Sequence, residues 1–196
     1  MTIRRAAAAL LTALALTSCA APADTGRAAQ LVNPRATATT PAPAPTPPPP
    51  APAPGVYPVD RVVDGDTVRI TRGGKSVTLR LIGGDTPETV HPSKPVQCFG
   101  PEASAEAKRL LTGKKVKVVY DPTQGTATAD GRRVDYYGRD LVYLQLPDGR
   151  DFMEHMIEGG YAREYTYRGE PYQRHAAYNA AETQAMLDGA GLWTAC

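Results

Sequence analysis

Hydrophobic and polar residues alternate with a period of two along two neighbouring segments of the chain. Val68 and Ile70 are separated by polar residues, and the same alternation covers residues 77–81. This period predicts β-strands that bury one face. Residues 72–75 read Arg-Gly-Gly-Lys, which is typical of a hairpin turn, so the two strands are expected to pair.

Longer-period patterns predict three helices. The first begins at Pro101, a residue type that suits the first helical turn, and ends at Gly113. The second begins after the capping residue Asp151 and is ended by Gly159. The third covers residues 171–187, and its apolar stripe consists of small residues: Ala177, Ala181 and Ala185.

Two further strands complete the predicted set of elements. They lie at residues 116–120 and around residues 141–143, where apolar and polar positions again alternate. A few short strands with helices inserted between them and appended to them are typical of an α+β fold built on a small closed barrel.

The first 19 residues resemble an export signal. Arg4 and Arg5 precede an apolar run at residues 6–16, which is too short to span a bilayer. The residues that end at Cys19 resemble a bacterial lipobox, in which the cysteine is lipidated. We therefore expect a signal peptide at residues 1–18 and a lipid anchor at Cys19 on the outer face of the cytoplasmic membrane. The alternative is an ordinary secretion signal with an incidental cysteine and a secreted product.

Residues 19–55 are rich in proline and alanine and have no periodic hydrophobic pattern. Such a segment cannot bury a core and favours extended polyproline II structure. It is expected to be a disordered tether, with a ligand for an SH3-type domain as the alternative. The globular domain should then cover residues 56–196.

Two cysteines remain for the globular domain, Cys98 and Cys196. In an exported domain two cysteines are more often paired than free, so we expect a disulfide, with two buried free thiols as the alternative.

Charge alone does not indicate a nucleic-acid-binding protein. The whole chain has a formal charge of +2, and removal of residues 1–18 would take away two arginines and no acidic residue, which leaves a neutral chain. Any contact with phosphate must therefore come from a few well-placed arginines rather than from a basic surface.

Four charged segments lie where structure alone does not require charge: residues 64–67, Arg80, residues 85–89 and residues 135–139. Each has a plain interpretation by itself, as a turn, a solvent-facing strand residue, an acidic loop or a tight turn with a surface arginine. Together they supply what cleavage of a phosphodiester with a hard cation requires. Asp66 and Asp85 can give Ca²⁺ two carboxylate ligands, two arginines can hold the phosphate, and a carboxylate can deprotonate water.

Six segments resemble the staphylococcal nuclease (thermonuclease) family. They run in order from about residue 62 to residue 193, which is nearly the whole globular domain, and comprise residues 63–69, 79–89, 99–104, 135–139, 164–167 and 191–193. The resemblance implies a five-stranded OB-fold β-barrel with three α-helices. It also implies a Ca²⁺-dependent monomeric enzyme that hydrolyses DNA and RNA to 3′-phosphate products.

The resemblance also implies a role for each site residue. Asp66, Asp85 and the backbone carbonyl of Thr86 match the metal ligands, and Glu88 matches the general base. The remaining matches concern nucleic acid: the arginines Arg80 and Arg139 hold phosphate, Tyr137 contacts phosphate, and Tyr165 and Tyr167 line the nucleotide pocket.

Two departures from the family pattern bear on substrate binding. Tyr136 stands where the best-known member has lysine, and the loop at residues 122–133 is longer. The rival hypothesis is a non-catalytic nucleic-acid-binding OB module, because the same barrel can bind without cutting. A third hypothesis, an envelope adhesin on a proline-rich stalk, leaves the charged segments unexplained.

Overall fold

The computed structural model describes residues 55–90, 93 and 95–196. The predicted signal peptide, Cys19 and nearly all of the predicted tether lie outside the described residues. Within the described part, no helix is both long enough and apolar enough to cross a membrane.

Nine strands and four α-helices occur in the described residues. The strands are β1 Gly55–Asp64, β2 Thr67–Arg72, β3 Lys75–Leu81, β4 Gly83–Asp85, β5 Lys115–Tyr120, β6 Thr126–Ala127, β7 Arg133–Val134, β8 Asp140–Gln145 and β9 Arg163–Tyr165. The helices are α1 Gly100–Leu111, α2 Phe152–Glu158, α3 His175–Asp188 and α4 Leu192–Ala195, and a 3-10 turn covers Tyr167–Gly169.

Five of the strands close into a barrel. Their order is β3-β2-β1-β5-β8, and a parallel pairing of β3 with β8 joins the two ends. In that pairing Leu79 lies opposite Asp140, and Leu81 lies opposite Val142. The short strands β6 and β7 extend the sheet beyond β8. This arrangement confirms the predicted α+β fold with a five-stranded OB-fold barrel, and α4 adds a one-turn helix to the three that were predicted.

The apolar positions of the alternating sequence pattern are the positions whose side chains are buried in the barrel. Val68 and Ile70 of β2 and Leu79 of β3 are fully buried, while their neighbours along each strand are more exposed. The predicted hairpin joins β2 to β3, and both glycines at its tip, Gly73 and Gly74, have positive φ angles (56° and 73°). Glycine is the residue that adopts this conformation without steric cost, so the turn is encoded locally.

Two of the helices begin and end as the sequence predicts, but the third does not. The carboxylate of Asp151 accepts hydrogen bonds from the amides of Met153 (2.8 Å) and Glu154 (3.1 Å) and thereby caps α2. The predicted start of α3 at residue 171 is wrong, because α3 begins at His175. The ring of Tyr172 is buried in the core instead, and its hydroxyl donates to the carbonyl of Gly83 (3.2 Å).

The predicted stripe of α3 also needs correction. The buried residues of the helix are Tyr178, Ala181 and Ala185, whereas Ala177 is exposed. A tyrosine therefore occupies the position at which the prediction placed a small residue.

A second sheet, β4 paired antiparallel with β9, was not predicted. Its register places Gly83 opposite Tyr165 and Asp85 opposite Arg163. The two glycines of β4, Gly83 and Gly84, allow the strand to lie directly on the helices, since a Cβ atom at Gly84 would be 2.0 Å from the sulfur of Met153. The close packing of β4 thereby fixes the position of Asp85, the last residue of the strand.

Candidate active site

Three of the predicted site residues meet beside the barrel. The turn between β1 and β2 supplies Asp66, strand β3 supplies Arg80, and strand β4 supplies Asp85. The guanidinium of Arg80 forms an ion pair with Asp66, and its Nη2 lies 3.5 Å from Oδ1 of Asp85. One arginine is therefore shared between the two carboxylates that were predicted as metal ligands.

These contacts explain why a strand of the barrel contains an arginine. The side chain of Arg80 is only 21% exposed, so it is not a solvent-facing strand residue. Its charge is balanced by Asp66, which is itself buried, and a buried charge requires such a partner. The amide of Leu81 also donates to the carbonyl of Asp66 (2.9 Å), which ties the turn to β3.

Thr86 follows β4 and lies under the same turn. A Cβ atom at Gly65 would come within 2.5 Å of the side chain of Thr86, so only glycine allows the turn to pack this closely. Thr86 is buried, and its hydroxyl has no hydrogen-bond partner within the part of the chain that the structure describes. A buried hydroxyl without a partner in this part of the chain therefore lies against the turn that supplies Asp66.

This set of oxygen atoms suits a hard cation. Asp66 and Asp85 are close enough that the charge of Asp66 helps to raise the pKa of Asp85, and Thr86 follows Asp85 in the chain and packs against Gly65, the neighbour of Asp66. Ca²⁺ prefers carboxylate, carbonyl and water oxygens. Among the described residues no group of three or more His, Cys, Asp or Glu side chains is placed to hold a metal, so a cation here needs backbone carbonyls and water to complete its shell.

The pKa of Asp85 is raised despite its contact with Arg80. Partial desolvation is the main cause, the charge of Asp66 adds to it, and Arg80 opposes both. The side chain of Asp85 is 60% exposed, so solvent screens these effects.

Glu88 lies three residues beyond Asp85, at the start of the next loop. Its Oε1 accepts hydrogen bonds from the amides of Thr89 (3.0 Å) and Val90 (2.9 Å). Its side chain also interacts with the carboxyl group of Asp64. The predicted general base is therefore held beside Asp64, Asp66 and Asp85, which together form the carboxylate cluster.

Asp64 is a site residue that sequence analysis missed. Burial, together with Glu88 and Asp66, raises its pKa to about 6, although the amide of Gly65 donates to its Oδ1 (2.9 Å) and acts in the opposite direction. It also accepts a hydrogen bond from the hydroxyl of Thr89 (3.3 Å). The available signal was a pair of aspartates two residues apart across a glycine turn.

Arg139 and Tyr137 lie in the turn between β7 and β8. The carboxylate of Asp135 accepts hydrogen bonds from the amide of Tyr137 (2.9 Å), the amide of Arg139 (2.9 Å) and Nε of Arg139 (2.7 Å). The guanidinium of Arg139 lies 5.5 Å from the ring centre of Tyr137, which is 80% exposed. The hydrogen bonds and ion pairs of the described residues join Arg139 to Asp135 and not to the carboxylate cluster.

The barrel nevertheless places this turn next to the cluster. Arg139 directly precedes Asp140, and Asp140 pairs with Leu79, the neighbour of Arg80 in β3. The parallel β3–β8 pairing, which closes the barrel, therefore brings Arg139, the residue directly before β8, close to the strand that carries Arg80.

Tyr165 and Tyr167 lie at the end of β9, the strand that pairs with β4, and in the 3-10 turn that follows it. Tyr165 ends β9, opposite Gly83, and the centres of the two tyrosine rings are 6.5 Å apart. Both rings are exposed, and the guanidinium of Arg168 lies 5.1 Å from the ring centre of Tyr167. Exposed aromatic faces beside an arginine are suited to contact with nucleobases.

The remaining predicted residues are the three cysteines. Cys98 and Cys196 form a disulfide bond in the structure, with a Cα–Cα distance of 6.0 Å. Cys19, the predicted lipidation site, lies outside the described residues, so its lipidation stays a prediction.

Comparison with known proteins gives consistent results. A family model described as staphylococcal nuclease homologue matches residues 78–195. A thermonuclease from Staphylococcus hyicus is 40% identical over 139 residues, which are 70% of this chain and 75% of that protein. A thermonuclease from Staphylococcus intermedius is 41% identical over 132 residues, or 67% of this chain and 70% of that protein. Endonuclease YncB from Bacillus subtilis is 34% identical over 137 residues, which are 69% of this chain and 60% of that protein.

Proposed function

The chain belongs to the family of staphylococcal nuclease homologues and is a nuclease, and from that premise we propose a more specific function. The enzyme depends on Ca²⁺, acts outside the cytoplasm as a monomer, and cleaves DNA and RNA to leave 3′-phosphate ends. One observation carries this proposal. Arg80 is shared between Asp66 and Asp85, and Glu88 is held beside them through Asp64.

The oxygen atoms at this place support Ca²⁺ as the cation. Asp66, Asp85 and the carbonyl of Thr86 would hold Ca²⁺. When bound, the ion supplies positive charge that polarises the phosphate and stabilises the charge of the transition state. The buried hydroxyl of Thr86, which has no hydrogen-bond partner among the described residues, supports a site that requires a further polar group.

The charged side chains have two further roles in the proposed reaction, proton transfer and phosphate binding. Glu88 takes the proton from the water whose oxygen attacks phosphorus, while the bond from phosphorus to the 5′ oxygen breaks. The leaving 5′ oxygen takes a proton from solvent, and the phosphate stays on the 3′ oxygen. Arg80 and Arg139 donate hydrogen bonds to the phosphate oxygens, whose negative charge increases in the transition state.

In this proposal the exposed tyrosines bind the part of the nucleic acid that lies next to the cleaved phosphate. Tyr165 and Tyr167 present ring faces on which nucleobases can stack, and Tyr137 lies beside Arg139 where it can donate to a phosphate. Stacking does not distinguish bases strongly, so the enzyme should have weak sequence preference.

Residues outside the candidate active site support the proposed location of the protein outside the cytoplasm. The export signal and lipobox that end at Cys19 would anchor the protein outside the cytoplasmic membrane, and the bond between Cys98 and Cys196 is typical of proteins in oxidising compartments. Labelling of cells with a radioactive fatty acid should mark the wild-type chain and leave a Cys19→Ala variant unmarked and released to the medium. A variant that is labelled equally would contradict lipidation at Cys19.

Cleavage assays test the catalytic part of the proposal. The purified chain should cut single- and double-stranded DNA in millimolar Ca²⁺ and lose this activity in a Ca²⁺ chelator. Glu88→Gln should lower kcat by at least about a hundredfold, whereas Glu102→Gln, at an exposed position of α1, should leave it unchanged. The products should require a phosphatase before their 3′ ends can be extended.

Three results would contradict the proposal. Undiminished cutting in the chelator would exclude a Ca²⁺ requirement, and near-normal kcat of Glu88→Gln would exclude its role as the base. Binding of DNA without cutting would favour the non-catalytic binding module instead.

A further inference from the structure

We propose that Gln97 and the disulfide between Cys98 and Cys196 are positioning elements for Glu88, so that full activity requires the oxidised chain. The inference rests on the proposed role of Glu88 as the base. It adds a dependence on residues that lie outside the carboxylate cluster and that do not contact the substrate.

Gln97 holds the backbone of Glu88 by a reciprocal pair of hydrogen bonds. The amide of Glu88 donates to Oε1 of Gln97 (2.8 Å), and the amide of Gln97 donates to the carbonyl of Glu88 (2.9 Å). Both polar backbone groups of Glu88 are thus bound by one residue nine positions away. The position of the Glu88 carboxylate depends on this backbone, because Oε1 bonds to the amides of the next two residues.

The disulfide fastens the residue that follows Gln97. Cys98 is bonded to Cys196, the last residue of the chain. Cys196 directly follows the short helix α4, which is itself attached to the body of the domain. The amide of Leu192 donates to the carbonyl of Gly160 (3.0 Å), and the side chain of Leu192 is buried. The covalent bond therefore ties the partner of Glu88 to an anchored helix.

Close packing continues this contact up to the start of α1. A Cβ atom at Gly100 would be 2.8 Å from the methyl group of Thr89 and 3.3 Å from the carbonyl of Glu88. Phe99 has a φ of 62°, a left-handed conformation that is unfavourable for a phenylalanine. A conformation of this kind persists only when its surroundings hold it, and the disulfide at the preceding residue is such a constraint.

Both cysteines of the bridge are exposed, so a soluble dithiol can reach the bond. Reduction transfers two electrons and two protons from the dithiol, breaks the S–S bond, leaves two cysteine thiols and converts the dithiol to its own disulfide. The segment that carries Gln97 is then released from α4, and Glu88 loses the fixed support of its backbone. A chain in a reducing compartment would have low activity and would gain full activity after oxidation.

Variants at Gln97 test the hydrogen bond. Gln97→Met has a similar length but no acceptor, and we expect its kcat to fall about ten- to hundredfold with KM within about threefold, because displacement of a catalytic group by 1 Å can cost about a hundredfold. Gln97→Glu keeps an oxygen acceptor and should retain kcat within about threefold. Gln145→Met is the matched control, since the side chain of that glutamine also bonds to the backbone: it donates to the carbonyl of Gly149 (2.9 Å). Gln145 is the last residue of β8, and the side-chain hydrogen bonds of the described residues do not join it to the candidate site, so this variant should have wild-type kcat.

Removal of the bridge tests the disulfide. In Ca²⁺, a dithiol should lower kcat of the wild-type chain about tenfold or more, and should have no further effect on a variant with both Cys98→Ser and Cys196→Ser, whose kcat should already be low. Leu144→Ala, which loses a buried side chain of the barrel, controls for lower stability. Measured at a temperature where every variant is folded, it should keep wild-type kcat.

Wild-type kcat in both Gln97→Met and the double serine variant would overturn the inference. A purified wild-type chain that cuts no DNA, or a Glu88→Gln variant that still cuts, would instead overturn the proposed function. The two failures are therefore distinguishable in one set of assays.

Discussion

Asp140 is a fully buried carboxylate of the barrel, and its replacement gives a sharp test of the structure. Its side chain is fully buried and binds two arginines from different parts of the chain. Arg72 reaches it from the β2–β3 hairpin (2.8 Å), Arg132 from the β6–β7 hairpin (2.9 Å), and the hydroxyl of Tyr120 donates to it (2.5 Å). One carboxylate thus joins three strands and the long loop that includes Arg132.

The expected loss of stability follows from these contacts. In Asp140→Asn one oxygen can still accept from one arginine, but the new amide group faces the other donors and cannot accept from them. Removal of one partner from a buried ion pair costs about 3–5 kcal/mol. Arg72 and Arg132 are partly exposed and can recover some hydration, so we expect a loss of about 3 kcal/mol in the free energy of unfolding, or about 10 °C in Tm for a domain of this size.

Urea unfolding of the wild type and the variant, monitored by circular dichroism at pH 7, measures this loss. Asp148→Asn is the control, because Asp148 forms an exposed ion pair with Arg150 and such pairs contribute about 0–1 kcal/mol. A loss below about 1 kcal/mol for Asp140→Asn, or one equal to that of the control, would refute the assignment of Asp140 as a structural junction.

Three further predictions concern other parts of the molecule. Hydrogen bonding to Arg109 lowers the pKa of Glu106 to about 2, so the contribution of this carboxylate to stability is complete above about pH 4.5 and is lost as pH falls through 2. Because the side chain of Arg109 is 64% exposed, solvent screens the pair, and Glu106→Gln should lower the free energy of unfolding in urea by about 1 kcal/mol at pH 7 and by less than half of that at pH 3. Replacement of Cys98 and Cys196 by serine should lower it by about 4 kcal/mol in guanidinium unfolding, because the bridge closes a loop with a sequence separation of 98; an equal stability of the two chains would contradict this. Ca²⁺ at a hundred times its Kd should raise the free energy of unfolding of the wild type by about 2.7 kcal/mol, whereas Asp66→Asn should show no such increase by scanning calorimetry.

Elements encoded by local chemistry were predictable from the sequence. The cap of α2 at Asp151 needs only the side chain and the amides two and three residues later, and the β2–β3 turn needs only its two glycines. The barrel strands follow from the alternation of residues such as Val68 and Ile70, which is the alternation of burial itself. In each case the cause and the effect lie within one turn or one strand.

Elements that depend on distant contacts were not predictable in this way. The start of α3 shifts by four residues because Tyr172 packs in the core and bonds to Gly83, 89 positions away in sequence. Strands β4 and β9 have three residues each and carry no alternation to detect. Their pairing depends on the glycines of β4, because side chains of α2 and α3 lie too close to these two positions to leave room for a Cβ atom.

The candidate site shows the same division. Residue types predicted the carboxylates and arginines, and the structure brings Asp66, Arg80 and Asp85 into contact. Asp64 was missed because a carboxyl group with a raised pKa is identified by its neighbours and its burial rather than by its position in a turn. Gln97 was missed because its importance lies in two hydrogen bonds to Glu88 that no local pattern indicates.

The charge of the protein connects these local contacts to substrate binding. Because the chain beyond residue 18 is neutral, its net charge does not supply the general attraction that most nucleic-acid-binding proteins use. Each arginine at the site is instead paired with a carboxylate, Arg80 with Asp66 and Arg139 with Asp135. In the proposed function, a phosphate that binds these arginines must therefore compete with the carboxylates. We expect a phosphodiester that reaches both arginines to compete better than an anion that reaches one arginine alone.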